Sequence, residues 1–422
     1  MALAGFVIRF LAVTAGFALL HYYLWWRLCR DTTEPGSRWR PAGAVVLGVL
    51  ALFGLLARFF VPSDAPMPFQ SAVGWPGLIW FGLFLYLFGL LLVGEALRWC
   101  LLRRGRSGEE RAAVRADGLT AHLRSLPSRL RRGPGEPPAD PPPAVHTRRV
   151  VISRAIGLGA ASIAVATVGH GLYEGYRTPQ LKPVTVPLAR LPRRFDGYRI
   201  AVVGDTHFSA IRGRGYCERV VDQINRAQAD MIAFVGDLAS SEADQIRDAT
   251  DPLAGLESRD GAFFVAGNAE HYVGADEWYE RVAELGMTGL PNTRVELPGF
   301  DVAGVNDLIV DQRGIAGEVG PDFEAALGDR DPARPVVFLA HQPNAIDRAL
   351  EYGVDLQLSG HTHGGQMWPV HYASLLRSGQ LSGLERHGGA QVYVTNGAGT
   401  NGPPIRVGAD ADITVMTLRA DG

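Results

Sequence analysis

Four apolar segments limit what this chain can fold into: roughly Ala2 to Trp26, Ala42 to Phe60, Val73 to Gly94 and Ala155 to Tyr173. Each approaches the ~20 residues an α-helix needs to cross a bilayer. The fourth, AIGLGAASIAVATVGHGLY, is rich in Gly and Ala and reads as a span, with a buried helix as its alternative. Hydrophobic residues make up 47% of the 422 positions but are concentrated in this first part, whereas the later residues carry the mixed charge of a soluble domain. The expected organisation is three transmembrane helices within 1–97, an Arg/Pro-rich cytoplasmic loop over 98–149, a fourth transmembrane helix over 150–176 and an extracytoplasmic globular domain over 177–422.

Loop charges set that orientation, because cytoplasmic loops collect Lys and Arg. The first loop carries Arg27, Arg30, Arg38 and Arg40, and the third runs from Arg98, Arg103, Arg104 and Arg106 to Arg148 and Arg149, while the second has only Arg58 at its edge. Loops one and three therefore face the cytoplasm, and the C-terminal half lies outside, on a multi-pass protein of the cell membrane. The third loop holds RRGPGEPPADPPPAV, a flexible Pro-rich linker, and then Thr147-Arg-Arg, which has the form of a twin-arginine export signal. A formal net charge of −2 with no basic field gives no reason to expect a nucleic-acid partner, and no feature names a protein partner. Cys29, Cys100 and Cys217 are too few and too far apart for a disulfide framework or a thiolate metal cluster.

From Tyr198 onward short β-rich runs alternate with amphipathic stretches, an α/β pattern that becomes strand-rich towards the end. The residues just beyond those runs matter most. RIAVVG leads into Asp205-Thr-His207, MIAFVG into Asp237, AFFVAG into Asn268, PVVFLA into His341, and LQLSG into His361-Thr-His363. Ligands of α/β sheets gather beyond the carboxyl ends of the strands, so these residues are expected to converge. Two Asp, one Asn and four His form a nitrogen and oxygen set suited to Mn, Fe or Zn, and seven ligands are more than one ion needs. An extended backbone would turn Asp205 with His207, and His361 with His363, to one side.

In that order the motifs resemble the calcineurin-like metallophosphoesterases, in particular a bacterial membrane-associated branch, over about Pro183 to Arg419. The resemblance implies an αββα sandwich with two β-sheets, following the four-helix transmembrane region that the apolar segments predict. It implies that Asp205, His207, Asp237 and His363 hold one divalent ion and Asp237, Asn268, His341 and His361 a second, with Asp237 bridging. The activity it implies is hydrolysis of a phosphomonoester or phosphodiester by water; a lipid or cell-envelope phosphate is expected as substrate because the linker YRTPQLKPVTVPLARLP is short enough to keep the site near the bilayer.

One position departs from the pattern. The family's third motif carries His after Gly-Asn, where this chain has Ala269, with His271 two places on. If the backbone stays extended, His271 replaces the missing catalytic acid; if a turn begins at Asn268, it points elsewhere. Ala269 also motivates the alternative of a metal-binding sensor with impaired catalysis. Arg406 is expected at a sheet edge, facing solvent or a phosphate.

Overall fold

The computed structural model describes residues 2–61, 65–124 and 148–420; the Pro-rich linker and Thr147 of the twin-arginine motif lie outside the described residues. The chain divides into two units, Met1–Leu52 with Leu83–Ala166, and Phe53–Gly82 with Thr167–Gly422.

Helices α1 (Ala2–Trp25), α2 (Trp39–Phe60), α3 (Met67–Arg124) and α4 (Arg148–Tyr176) cover the four apolar segments. Among the described residues, three stretches are long and apolar enough to cross a membrane: Trp39–Phe60, Met67–Leu101 and Val150–Tyr176. The loop expected from residue 98 begins as helix instead, because α3 continues without a break to Arg124. In the first unit the charges near the ends of the apolar helices pair with one another. Arg27 meets Glu95 at 2.6 Å and Asp31 at 2.7 Å, and Arg98 meets Asp31 at 2.9 Å, which lowers the cost of holding charges beside apolar helices.

The second unit contains two six-stranded sheets. The first has the order β1-β12-β2-β3-β4-β5, from β1 (Gln180–Leu188), β2 (Arg199–Val203), β3 (Met231–Val235), β4 (Ala262–Val265), β5 (Thr288–Gly289) and β12 (Asp412–Ala420). The second has the order β10-β11-β9-β8-β7-β6, from β6 (Thr293–Glu296), β7 (Asp301–Gly304), β8 (Val336–Leu339), β9 (Leu356–Ser359), β10 (Gly383–His387) and β11 (Ala390–Val394). Side-chain alternation builds the layers. Ile200 and Val202 of β2 join Val337, Leu339, Leu356 and Leu358 between the sheets, while Ala201 and Val203 pack outward with Val220 and Ile224 of helix α5 (Arg214–Arg226). On the other outer face Phe338 and Val392 bury Phe323 and Ile346. The result is the expected αββα sandwich.

The stretch after α4 is not a linker. As β1 it pairs in parallel with β12 from Gln180 against Asp412 to Leu188 against Ala420. Pro183 and Pro187 are tolerated there because β1 is an edge strand, where one side of the ladder needs no N–H donors.

Candidate metal centre

Strands β2, β3 and β4 of one sheet and β8 and β9 of the other end at a common edge, and each delivers a candidate ligand within three residues of its end. Backbone hydrogen bonds carry the order past the strands. Asp205 N donates to Gly236 O at 3.0 Å, His207 N to Asp237 O at 3.1 Å, and Gly360 N to His341 O at 3.0 Å.

The local conformation differs from the extended one expected. Asp205, His207, Asp237, His361 and His363 all have positive φ, between 47° and 73°. Left-handed backbone costs about 1–2 kcal/mol for a residue with a Cβ, so this clustering marks a site whose geometry the surrounding fold enforces. It also separates His361 from His363, which face different parts of the cluster. Gly360, between β9 and these histidines, is required by close approach: a Cβ there would collide with Asp205 Oδ2.

All seven candidates lie in one connected cluster. One atom from each of Asp205, His207, Asp237 and His363 falls within 4.8 Å of the others, and all four residues are buried. His207 Nε2 is 3.1 Å from His363 Nε2 and 3.4 Å from Asp237 Oδ2, and His363 Nε2 is 3.4 Å from Asp205 Oδ1. On the other side of Asp237, Oδ1 is 3.3 Å from His341 Nε2, which is 3.2 Å from Asn268 Oδ1. Asn268 Oδ1 is in turn 2.8 Å from His361 Nδ1. Asp237 thus touches both halves.

Contacts around the cluster fix which atoms face it. Val235 O can only accept, so His341 Nδ1 donates to it at 2.8 Å and leaves Nε2 to the centre. His207 Nδ1 meets Ser240 Oγ at 2.8 Å, orienting the ring in the same way. His363 Nδ1 is buried without a partner.

Electrostatics set the direction of each titration. Burial lowers His207 to about 4, His361 to about 3 and His363 well below the usual histidine range, so all three present neutral nitrogen lone pairs. Burial raises Asp205 to about 8, with His341 opposing and Asp237 adding to the rise. Burial would also raise Asp237, but the neighbouring His341 charge holds it below the usual carboxylate range, and the same pairing overrides burial to raise His341. Lone pairs packed this closely are the chemistry of a cation site: bound ions would relieve the repulsion that the His341 proton relieves only in part.

His271 is not in the cluster. A short helix, Asn268–Val273, starts at Asn268, and this turn carries His271 to other partners. Its Nε2 accepts from Asp307 N at 3.2 Å, so Nδ1 holds the proton and donates to Glu318 at 2.6 Å. Both ring nitrogens are occupied, which corrects the extended-chain expectation.

Two supporting residues escaped sequence reasoning. Glu270, fully buried, accepts from Asp237 N at 3.0 Å, Gly267 N at 2.7 Å and Ala239 N at 2.9 Å, locking the Asp237 loop to the Asn268 loop. Its only sequence signal was a Glu three residues into a helix that a Gly caps. Burial, with the charge of Asp237, raises it to about 7 while the Ala239 and Gly267 N–H groups oppose. Glu270→Gln would aim an NH₂ group at backbone donors. We expect a loss of about 1–3 kcal/mol in thermal unfolding, the cost of buried donors left unpaired.

Arg406, expected at the surface, is 1% exposed. It donates to five carbonyls: Gly399 O at 2.8 Å, His363 O at 3.2 Å, Ala409 O at 2.9 Å, Asn396 O at 2.7 Å and Gly397 O at 2.9 Å. It ties the closing loop to the backbone of a candidate ligand.

Comparison with known proteins finds several likenesses. The sequence profile of the calcineurin-like phosphoesterases matches residues 198–365. An uncharacterised metallophosphoesterase of Helicobacter pylori strain J99 is 32% identical over 274 residues, covering 64% of this chain and 72% of its own length. A Danio rerio transmembrane protein with metallophosphoesterase domain is 29% identical over 439 residues, covering 98% of this chain and 90% of its own, so that likeness includes the helical half. A solved dimetal phosphatase from Danio rerio aligns at 13% identity over 48% of this chain and 88% of its own, with a TM-score of 0.31.

Proposed function

This chain belongs to the calcineurin-like phosphoesterase family, and we propose that it is a membrane-anchored, dinuclear-metal hydrolase of a phosphomonoester or phosphodiester, with its catalytic domain on the extracytoplasmic side. The observation that carries the reading is the place of Asp237, within 3.4 Å of His207 and 3.3 Å of His341. Asp205, His207, Asp237 and His363 would hold one ion and Asp237, Asn268, His341 and His361 the other, Mn, Fe or Zn by donor type. Bound there, two divalent ions supply a water nucleophile near neutral pH and neutralise charge on the phosphate oxygens.

The protein's own groups do the positioning. Ala269 N donates to Asp237 Oδ1 at 2.7 Å, holding the shared carboxylate in place. The arginine-rich loops one and three support the cytoplasmic assignment of those loops, and the ends of α2 and α3 that flank loop two share a unit with the C-terminal domain, in keeping with an outside position for both.

Ala269 leaves the usual leaving-group imidazole out, and His271 does not fill the gap. Good leaving groups should therefore be favoured. Ala269→His is expected to raise turnover of alkyl phosphoesters by about 10²-fold or more, the usual worth of a general acid, with a smaller gain on 4-nitrophenyl esters. The test is a panel of phosphomonoesters and phosphodiesters offered to the Mn-loaded full chain. Hydrolysis that depends on added metal supports the reading. An inert wild type that becomes active as Ala269→His favours the second reading, a metal-binding sensor.

A further inference from the structure

We propose that the natural substrate is a phosphate ester carried by a membrane lipid, and that its headgroup reaches the His207 side of the centre through a cavity roofed by the membrane hairpin. The proposal rests on the phosphoesterase reading above and names its substrate class.

The cavity has a volume of about 290 Å³, at the lower end for ligand pockets. It is lined by Arg58 at the end of α2, Val61 just after it and Leu78 of α3, together with His207, Arg212 and Thr400. One cavity therefore joins a candidate metal ligand to residues of two helices long and apolar enough to cross a membrane. A second cavity of about 590 Å³, lined by Met67, Pro68 and Ser71 at the start of α3, shares Ser209 with it. A soluble substrate has no need of such a lining, whereas an acyl chain lying along α2 and α3 would bring its headgroup to this opening.

The hairpin is held firmly in this position. A Cβ on Gly74 would lie 2.8 Å from Ile211 Cδ1 and 3.0 Å from Val61 Cγ2, and one on Gly77 would collide with Phe53 O. Arg406 N donates to Gly171 O and Arg212 to Gly175 O, both at 2.9 Å, fastening the end of α4 to the catalytic domain. The rings of Trp75 and Tyr176 stack edge-on at 5.4 Å.

Its chemistry suits an anion with an apolar tail. Arg58 is exposed and Arg212 is buried, and both line the cavity and supply it with positive charge. Arg212 Nε and Thr400 Oγ1 are both buried without a hydrogen-bond partner, a costly state that phosphate oxygens would relieve. In the reaction, water oxygen bonds to phosphorus as the ester bond on the headgroup side breaks, the tail stays on the phosphate, water gives up its proton to solvent, and the departing oxygen leaves as a weakly basic anion that needs no acid from the protein.

The test compares binding of methylphosphonate and hexylphosphonate to the Mn-loaded full chain by calorimetry, beside hydrolysis of the methyl and hexyl 4-nitrophenyl phosphodiesters. The wild type is expected to prefer the hexyl compounds by at least about 10-fold, since each buried methylene contributes ~0.8 kcal/mol. Val61→Trp, which fills the cavity, should reduce that preference below about 3-fold, and Arg58→Gln should weaken hexylphosphonate binding by about 10-fold. Equal affinity for the two phosphonates in the wild type, or a hexyl preference unmoved by both variants, overturns the proposal. Tail-selective binding without any hydrolysis sinks the phosphoesterase reading while upholding the lipid site.

Discussion

Asp237→Asn is expected to lower kcat/KM by at least about 10³-fold and to reduce bound metal below two ions per chain, because a metal pair contributes several kcal/mol to phosphoryl transfer. The substitution keeps the side-chain volume and an acceptor for Ala269 N, which lies 2.7 Å from Oδ1. What it removes is the negative charge shared by the two halves of the cluster. The fold should survive, since strands β2 and β3 and the layers on both sides of them are untouched. Bound metal counted by mass spectrometry, set beside thermal unfolding of the metal-free protein, separates loss of a ligand from loss of structure. An Asp237→Asn protein with a full complement of metal would show that Asp237 is not the shared ligand.

The second large effect is expected at Arg406. Arg406→Ala leaves five carbonyls without their donor in a region closed to water. Removing one partner from a buried charged network costs about 3–5 kcal/mol, so Tm should fall by roughly 10 °C for a domain of this size. Burial lowers the Arg406 pKa to about 10, which still leaves it charged at neutral pH. Arg406→Lys should recover only part of the loss, since an ammonium cannot span the same fork of acceptors. Because Arg406 Nη1 holds His363 O, the alanine variant should also bind metal more weakly. An unchanged Tm would mean the loop from Gly397 to Ala409 is held by other contacts.

The residues that converge were legible because each comes directly after an apolar run that can only be a buried strand. Asp205 after β2, Asp237 after β3 and His341 after β8 needed no knowledge of the sheet order to be placed at one edge. Their conformation was not legible, since positive φ at Asp205 or His363 arises from loops locked across two sheets. Strand β1 was hidden by Pro183 and Pro187, whose disruptive effect vanishes only at an edge supplied by β12, distant in sequence. The partners of His271 depended on whether a helix starts at Asn268, a choice that Glu270 decides by binding three N–H groups across two loops. Arg406 looked like a surface cation because its acceptors are all backbone, and backbone carbonyls leave no trace in sequence.

The most direct measurement is the metal content of the purified full chain in detergent, taken with its turnover of a 4-nitrophenyl phosphodiester as metal is removed and restored. Two divalent ions per chain, with turnover lost on chelation and regained on adding Mn, is the result expected. Turnover that persists at full rate in protein stripped of metal, or a chain that binds no divalent ion at Asp205, His207, Asp237 and His363, would contradict it.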